Sequence, residues 1–392
     1  MLLRSFPLLL AGFSLCFAAA LRAEPIPHTT DLSAVDFLPV HPVHPVHPAH
    51  NESLPIIESR DKKPKKPKPS KGKDKFPLAI DGNVRVRDPS ILKDGDYYYL
   101  FGTGPSTPWH RAKKLTGPWE KMGTVLDGPS VIEKKDRKTP WAPHVIKKGD
   151  TFYCYYSVSF SGKRDSAIGI ATTKKLKKNK HWKDHGALIQ TGSGPGSDVP
   201  PFDTSNAIDP MVFFDKDDKP RLIYGSFFSG LYQLPLDDDL MSLPNPKKPK
   251  AKLLAKSRDK TNIEGPFVNY RKGYYYFWFS HGICCKFDKD FEPKNGPAYS
   301  IRVGRSKDIR GPFVDKDGKN LTKGGGHVVY GSNHDKKVLA PGGQGILAEG
   351  KEDILYYHYL NKEVGKKYKD GLLGFNRLKY VDGWPEVSDE ED

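Results

Sequence analysis

Three acidic residues, each just before a proline, are the side chains with the clearest chemistry in this sequence. They are Asp88 in Arg-Asp-Pro, Asp209 in Ile-Asp-Pro and Glu264 in Ile-Glu-Gly-Pro. Carboxylates that converge on one pocket repel each other, which separates their pKa values and provides both a general acid and a general base. Hydrolysis of a glycosidic bond uses such a pair. A calcium cluster or a set of turn caps is the alternative interpretation.

The segments around these acids repeat one pattern, in which a strand, a tight turn and an aromatic-rich strand follow one another. Five copies begin at Asp88, Pro143, Asp209, Glu264 and Pro341, roughly 55 to 75 residues apart. Helical periodicity is nearly absent. Repeats of this length predict an all-β fold, a five-bladed β-propeller. A two-sheet sandwich or jelly roll is the alternative, but it leaves the recurring proline motif unexplained.

A propeller would explain how acids so far apart in the chain can meet. The innermost strand of each blade lies beside the central axis, so equivalent positions of different blades face one shared pocket. The acids belong to the first, third and fourth copies of the repeat. We therefore expect Asp88, Asp209 and Glu264 to be the catalytic residues of an axial pocket.

Composition divides the chain into four parts. Residues 1–23 contain an early positive charge, Arg4, then an apolar run and small residues, which predicts a signal peptide and a secreted, extracellular protein. Residues 24–77 are rich in His-Pro and Lys-Pro pairs, which predicts a disordered linker. The propeller is expected over residues 78–385, and residues 386–392 form an acidic tail.

Part of the formal net charge of +16 lies in residues 60–75, which hold nine Lys or Arg against two Asp. A run of this kind can bind nucleic acid. In a secreted chain, the expected partner is instead an acidic polysaccharide or an anionic wall surface, attracted by screened, non-specific forces. A solvated spacer is the alternative. We expect no nucleic-acid or membrane partner, and a monomer.

Cysteine spacing predicts no metal site. Cys154, Cys284 and Cys285 remain after the predicted signal peptide, and three cysteines form neither a disulfide framework nor a zinc site. The adjacent pair can form a vicinal disulfide in an oxidising secretory route. Neighbouring Cα atoms lie about 3.8 Å apart, which is closer than ordinary bridges prefer, so the sequence leaves both states of this pair open.

Four motifs together resemble glycoside hydrolase family 43, and most of all its fungal endo-1,5-α-L-arabinanases. They read VRVRDPSILKDGDYYYLFGTG, TPWAPHVIKKGDTFYCYYS, NAIDPMVFF and NIEGPFVNYRKGYYYFWFSHGICC. The resemblance spans about residues 80–380. It implies a five-bladed propeller and hydrolysis with inversion. On that pattern Asp88 is the general base that activates water, Glu264 is the general acid, and Asp209 orients Glu264 and tunes its pKa.

Four further residues are predicted to bind substrate. Trp141 in Trp-Ala-Pro would offer a flat face to a sugar ring, with packing between blades as the alternative. Asn206 and Ser226 would hydrogen-bond sugar hydroxyls, or else cap turns. His281 in Ser-His-Gly would line the cleft.

Two positions depart from the family pattern. Many relatives have His where Arg87 stands, and an inward guanidinium there would favour the charged form of the neighbouring carboxyl. The family often holds an axial metal through a His in Gly-Pro-Gly-His, but this chain has Gln344 in Ala-Pro-Gly-Gly-Gln. An axial calcium therefore lacks its usual ligand, the metal ligands are unknown, and Gln344 or His327 would have to replace the missing His. No organic cofactor is expected.

The resemblance implies an endo-acting enzyme on arabinan, a polysaccharide side chain of pectin. An exo-acting α-L-arabinofuranosidase or a β-xylosidase of the same family is the nearest alternative. Endo or exo action depends on whether loops leave an open groove or close a pocket, and no motif reports that. A non-catalytic carbohydrate-binding propeller is a third interpretation, but binding alone does not require all three acids.

Overall fold

The computed structural model describes residues 76–388, except residues 227, 260, 288–290 and 334–336 and the side chain of Ser226. The predicted signal peptide, residues 24–75 of the predicted linker and residues 389–392 of the predicted tail lie outside this range. Within the described part, no helix is long and apolar enough to cross a membrane.

Five antiparallel sheets of four strands each follow one another along the chain. Blade one has the strands β1 (Ser90–Asp94), β2 (Tyr97–Phe101), β3 (Pro108–Ala112) and β4 (Glu120–Thr124). Blade two has β5 (Trp141–Lys148), β6 (Thr151–Val158), β7 (Ser166–Thr173) and β8 (Lys183–Thr191). Blade three has β9 (Met211–Phe214), β10 (Pro220–Ser226), β11 (Gly230–Pro235) and β12 (Lys252–Ala255).

The last two blades have the same construction. Blade four has β13 (Ile263–Arg271), β14 (Tyr274–His281), β15 (Ser300–Ser306) and β16 (His327–Tyr330). Blade five has β17 (Leu339–Glu349), β18 (Glu352–Leu360), β19 (Leu372–Val381) and β20 (Trp384–Ser388). Short 3-10 turns occupy Leu321–Lys323 and Tyr368–Asp370. The expected five-bladed β-propeller is confirmed, and its last strand continues three residues into the segment predicted as a tail.

The first strand of every blade contacts the first strand of both neighbouring blades, so β1, β5, β9, β13 and β17 form a closed ring. The segment before β1 completes the closure, because it runs beside β19 of blade five. Leu78 N–H donates to Phe375 O at 2.7 Å, and Val86 N–H donates to Gly371 O at 3.0 Å. The start of each blade therefore lies at the central axis.

Hydrophobic contacts between neighbouring blades form the core. Five clusters of buried side chains join blades one and two, two and three, three and four, four and five, and five and one. Successive residues of β6 show the principle: Tyr155 packs towards blade three, whereas Cys154 and Tyr156 pack towards blade one. Side chains alternate between the faces of a strand. Because both faces of β6 are covered, its residues are buried almost continuously.

Candidate active site

The five equivalent residues at the entrance to the inner strands line one small axial cavity of about 40 Å³. Their φ angles are all positive: 47° at Asp88, 42° at Ala142, 52° at Asp209, 60° at Gly265 and 58° at Gly343. Left-handed backbone costs about 1–2 kcal/mol for most residues, and aspartate tolerates it better than most. Strain of this kind occurs often at functional sites. Here it turns two aspartates towards the axis.

Glu264 is not one of these five residues. Gly265 takes the position equivalent to Asp88 and Asp209, and Glu264 lies one residue before it in the chain. The ladder between β13 and β14 is irregular from Glu264 to Phe267, as the ladder between β5 and β6 is from Trp141 to His144. Gly265 N–H donates to Asp209 Oδ2 at 2.9 Å. This bond ties the backbone beside Glu264 to Asp209, so the two acids are held as one unit.

The three acids are electrostatically coupled. Burial, followed by the negative charge of Asp88, raises the pKa of Glu264 to about 7, and the Arg87 guanidinium limits the rise. Burial and the charges of Glu264 and Asp88 also raise the pKa of Asp209 well above its ordinary value. The buried pair Asp209–Glu264 therefore retains a proton near neutral pH, which is the property that a general acid requires.

Asp88 is held by hydrogen bonds from two sides. Thr103 Oγ1 donates to Asp88 Oδ2 at 2.6 Å and itself accepts from Ala142 N–H at 2.8 Å. Asp88 N–H donates to Nδ1 of His358 at 3.0 Å. The carboxylate stays 24% exposed, so water can reach it while the hydroxyl of Thr103 fixes its orientation.

His358 is a neutral partner of Asp88 rather than an ion-pair partner. Its Nδ1 lies 3.4 Å from Asp88 Oδ1, but Nδ1 accepts the backbone N–H of Asp88 and therefore carries no proton. Burial and the charge of Arg87 hold the pKa of His358 well below its ordinary value. Gly343 is required beside this pair, since a Cβ there would lie 2.8 Å from Asp88 Oδ1 and 2.7 Å from His358 Nδ1.

Arg87 points into the protein and not into solvent. It is 4% exposed, its Nη2 donates to Cys284 O at 3.3 Å, and its guanidinium carbon lies 4.6 Å from the centre of the Tyr368 ring. Cys284 and Cys285 are joined as a vicinal disulfide in this structure. Arg87 thus links blade one to the loops of blades four and five.

The residues predicted to bind substrate lie in different environments. Trp141 is the first residue of β5, partly exposed, and directly precedes Ala142 of the axial ring. His281 ends β14, where it is paired with Ile263, the neighbour of Glu264. Burial and the charge of Arg302 lower the pKa of His281 to about 4, so its imidazole is neutral at pH 7.

Asn206 and Ser226 are less directly placed. Asn206 is 4% exposed, and its carbonyl accepts from Ile208 N–H at 3.1 Å. Ser226 is the last residue of β10, and its side chain is outside the described part of the structure. The substrate-binding roles of all four residues stay predictions.

Sequence reasoning missed the residues that hold the acids in place. Besides Thr103 and His358, Ser157 Oγ accepts from Asp209 N–H at 2.9 Å, and Ser280 is paired with Glu264 across β13 and β14. All four lie on or next to the second strand of a blade. Three of them could have been found from the sequence, because Ser157, Ser280 and His358 are polar residues within otherwise apolar second strands.

The two residues considered as replacements for the missing metal-binding His, Gln344 and His327, both make other contacts in this structure. Oε1 of Gln344 accepts from Ser280 Oγ at 2.9 Å, and its Nε2 donates to Gly265 O at 2.7 Å. Both polar atoms of the amide therefore take part in joining blade five to blade four. His327 begins the outer strand β16 and packs against Trp384. Among the described residues, no group of three or more His, Cys, Asp or Glu is arranged to hold a metal ion.

The axis of this propeller holds the buried pair Asp209–Glu264, which retains a proton, and beside it the hydrogen-bonded carboxylate of Asp88, which water can reach. This arrangement is typical of acid–base glycosidases. Residues 82–385 match the model of Glycosyl hydrolases family 43, and the chain belongs to this family. It is 52% identical over 316 residues to the Probable arabinan endo-1,5-alpha-L-arabinosidase D of Emericella nidulans, covering 79% of this chain and 82% of that protein. It is 47% identical to the Arabinan endo-1,5-alpha-L-arabinosidase B of the same organism, covering 81% of this chain and 86% of that protein.

Solved arabinanase structures have the same fold. The alpha-L-arabinanase of Cellvibrio cellulosa, complexed with arabinohexaose, is similar with a TM-score of 0.68 and 29% identity, over 78% of this chain and 96% of that one. The endo-arabinanase of Bacillus licheniformis gives a TM-score of 0.66 and 31% identity, over 79% and 99%. The family resemblance inferred from the motifs is confirmed, and the protein is a glycosidase.

Proposed function

We propose that this protein is a secreted enzyme that cleaves internal α-1,5-L-arabinofuranosidic linkages of arabinan with inversion of configuration. The observation that carries the proposal is the coupling of Glu264, whose pKa lies at about 7, to Asp88 and Asp209. The relatives at 52% and 47% identity are named for this linkage and for endo action. The signal-peptide pattern of residues 1–23 supports secretion.

In the proposed reaction, Asp88 accepts a proton from water as the water attacks the anomeric carbon. Glu264 gives its proton to the leaving oxygen at the same time, so no free alkoxide forms. Asp209 accepts the N–H of Gly265 and so keeps Glu264 in place, while burial and the charge of Asp88 help Glu264 to retain the proton. After product release, Asp88 gives its proton to solvent and Glu264 takes one up, which restores both groups for the next turnover.

Product analysis on linear arabinan tests the substrate and the mode of attack. Endo action is expected to release oligosaccharides of several lengths at early times. Release of arabinose or one short product alone would instead indicate exo action, and hydrolysis of xylan-derived substrates would indicate a β-xylosidase. If no polysaccharide in a broad panel gained reducing ends, a binding propeller would be the better interpretation.

The anomeric outcome is a separate prediction. NMR spectra recorded in the first minutes should show the β-anomer as the initial product from an α-linkage, because one displacement by water inverts the centre. Mutarotation of the product, followed in the same series of spectra, provides the time control. Initial release of the α-anomer would contradict direct attack by the water that Asp88 activates.

Chelation of metal ions is expected to leave the enzyme unaffected. Prolonged EDTA treatment should change kcat/KM by less than about twofold and leave Tm unchanged, since a bound cation would stabilise the fold by mass action. The control is Gln344→Glu, which keeps the acceptor for Ser280 but loses the donor to Gly265, and should lower kcat with or without chelator. A loss of activity or Tm in EDTA that calcium restores would show that the axis does hold a metal.

A further inference from the structure

Tyr368 is a half-exposed aromatic residue whose position the proposed reaction does not explain. It begins the 3-10 turn Tyr368–Asp370, in the connection from β18 to β19 of blade five, and it is 45% exposed. The turn is firmly anchored. Arg85 Nη1 donates to Asp370 Oδ1 at 2.8 Å, and Lys367 N–H donates to Asp370 Oδ2 at 3.0 Å. An exposed aromatic ring on a fixed backbone is well suited to contact a ligand.

One face of this ring is supported by Arg87. The guanidinium carbon lies 4.6 Å from the ring centre, and the bond to Cys284 O holds the guanidinium in place. Arg87 is almost fully buried, yet its Nε and Nη1 have no hydrogen-bond partner within the described part of the chain. Because these two nitrogens are buried, a ligand cannot reach them, and the contribution of Arg87 is to support the Tyr368 ring.

Tyr368 also lies close to the catalytic acids. Burial of its hydroxyl end raises the pKa of Tyr368, and the charges of Asp88 and Asp209 raise it further. Arg87, beneath the ring, is the residue directly before Asp88 in the chain. The platform and the proposed base are therefore neighbours in space as well as in sequence.

We propose that Tyr368, supported by Arg87, is a stacking platform for one arabinofuranose unit of the bound chain. Sugar rings present C–H faces that pack on aromatic rings, and the guanidinium of Arg87 holds this ring from one side. Trp141 on blade two and Tyr368 on blade five belong to the two blades that flank blade one, which carries Asp88.

This subsite rests on the proposed arabinanase activity, and its test compares Tyr368→Ala with Tyr368→Phe. The alanine variant should raise KM for linear arabino-oligosaccharides about tenfold, which corresponds to about 1.4 kcal/mol, and change kcat far less. The phenylalanine variant keeps the ring and should behave like the wild type. Tyr270→Ala is the matched control, because Tyr270 is 47% exposed at the far end of β13.

The outcomes separate the subsite from the function. Wild-type hydrolysis of linear arabinan is measured first, and its absence would overturn the proposed function together with the subsite. In an active enzyme, an unchanged KM in Tyr368→Ala would overturn the subsite alone. A lower Tm with equal losses in kcat on substrates of all lengths would also overturn it, since that pattern indicates a structural role for the ring above Arg87.

Discussion

Replacement of Glu264 by glutamine is expected to lower kcat on arabinan by about 10²- to 10⁴-fold, the usual contribution of a general acid. The loss should be much smaller on an aryl arabinofuranoside with a good leaving group, because such a group departs without protonation. Steady-state kinetics on both substrates measure the difference. Equal losses on the two substrates would remove Glu264 from the role of acid.

The pH dependence follows from the same residue. Because the pKa of Glu264 is about 7, the wild-type kcat/KM should fall as pH rises through about 7, where the acid loses its proton. The glutamine variant has no proton to lose there, so this limb should be absent from its profile. A limb at the same pH in Glu264→Gln would assign the titration to another group.

Glu264→Gln is expected to raise the free energy of unfolding above pH 7, although it lowers kcat. The folded state raises the pKa of Glu264 from 4.5 to about 7, so the wild-type protein loses stability as pH rises between these two values. Glutamine has no charge to bury. Glu264→Gln should therefore be more stable than the wild type above pH 7, by about 3 kcal/mol, and equal to it below pH 4. Thermal unfolding at pH 4 and pH 8 measures this.

The sequence predicted the propeller because each blade repeats one pattern and buries both faces of its strands. The repeated Asp-Pro placed Asp88 and Asp209 at the axis for the same reason. Glu264 was harder to place, since Gly265 occupies the equivalent position and the acid lies one residue earlier. Irregularities of this kind, which also interrupt the β5–β6 and β17–β18 ladders, are properties of the folded ladder that a repeat pattern does not encode.

The residues that support the acids could not be found in this way. His358 lies 270 residues from Asp88, and the two meet only because blade five closes the ring onto blade one. Gln344 has the position of a metal ligand, but its amide is used by Ser280 and Gly265. Its role depends on the distance between two blades, and this distance is set by packing along their whole length.

Asp88→Ala is expected to lower kcat on arabinan by about 10²- to 10⁴-fold, with the fold intact. The missing carboxylate leaves the attacking water without a base, whereas Glu264 can still protonate the leaving oxygen. Asp96→Ala is the matched control: Asp96 is an exposed aspartate in the hairpin turn of the same blade, and its loss should leave kcat unchanged.

Azide distinguishes a lost base from a distorted site. This small anion is a nucleophile that needs no deprotonation, and the alanine at position 88 leaves space for it beside Thr103, which donates to the carboxylate in the wild type. Added azide should therefore restore part of the rate in Asp88→Ala and yield a β-arabinofuranosyl azide, detectable by mass spectrometry and NMR. It should not restore the rate of Glu264→Ala on arabinan, because the leaving oxygen still lacks its acid. Failure of azide to act on Asp88→Ala, together with an unchanged Tm, would contradict the role of Asp88 as the base.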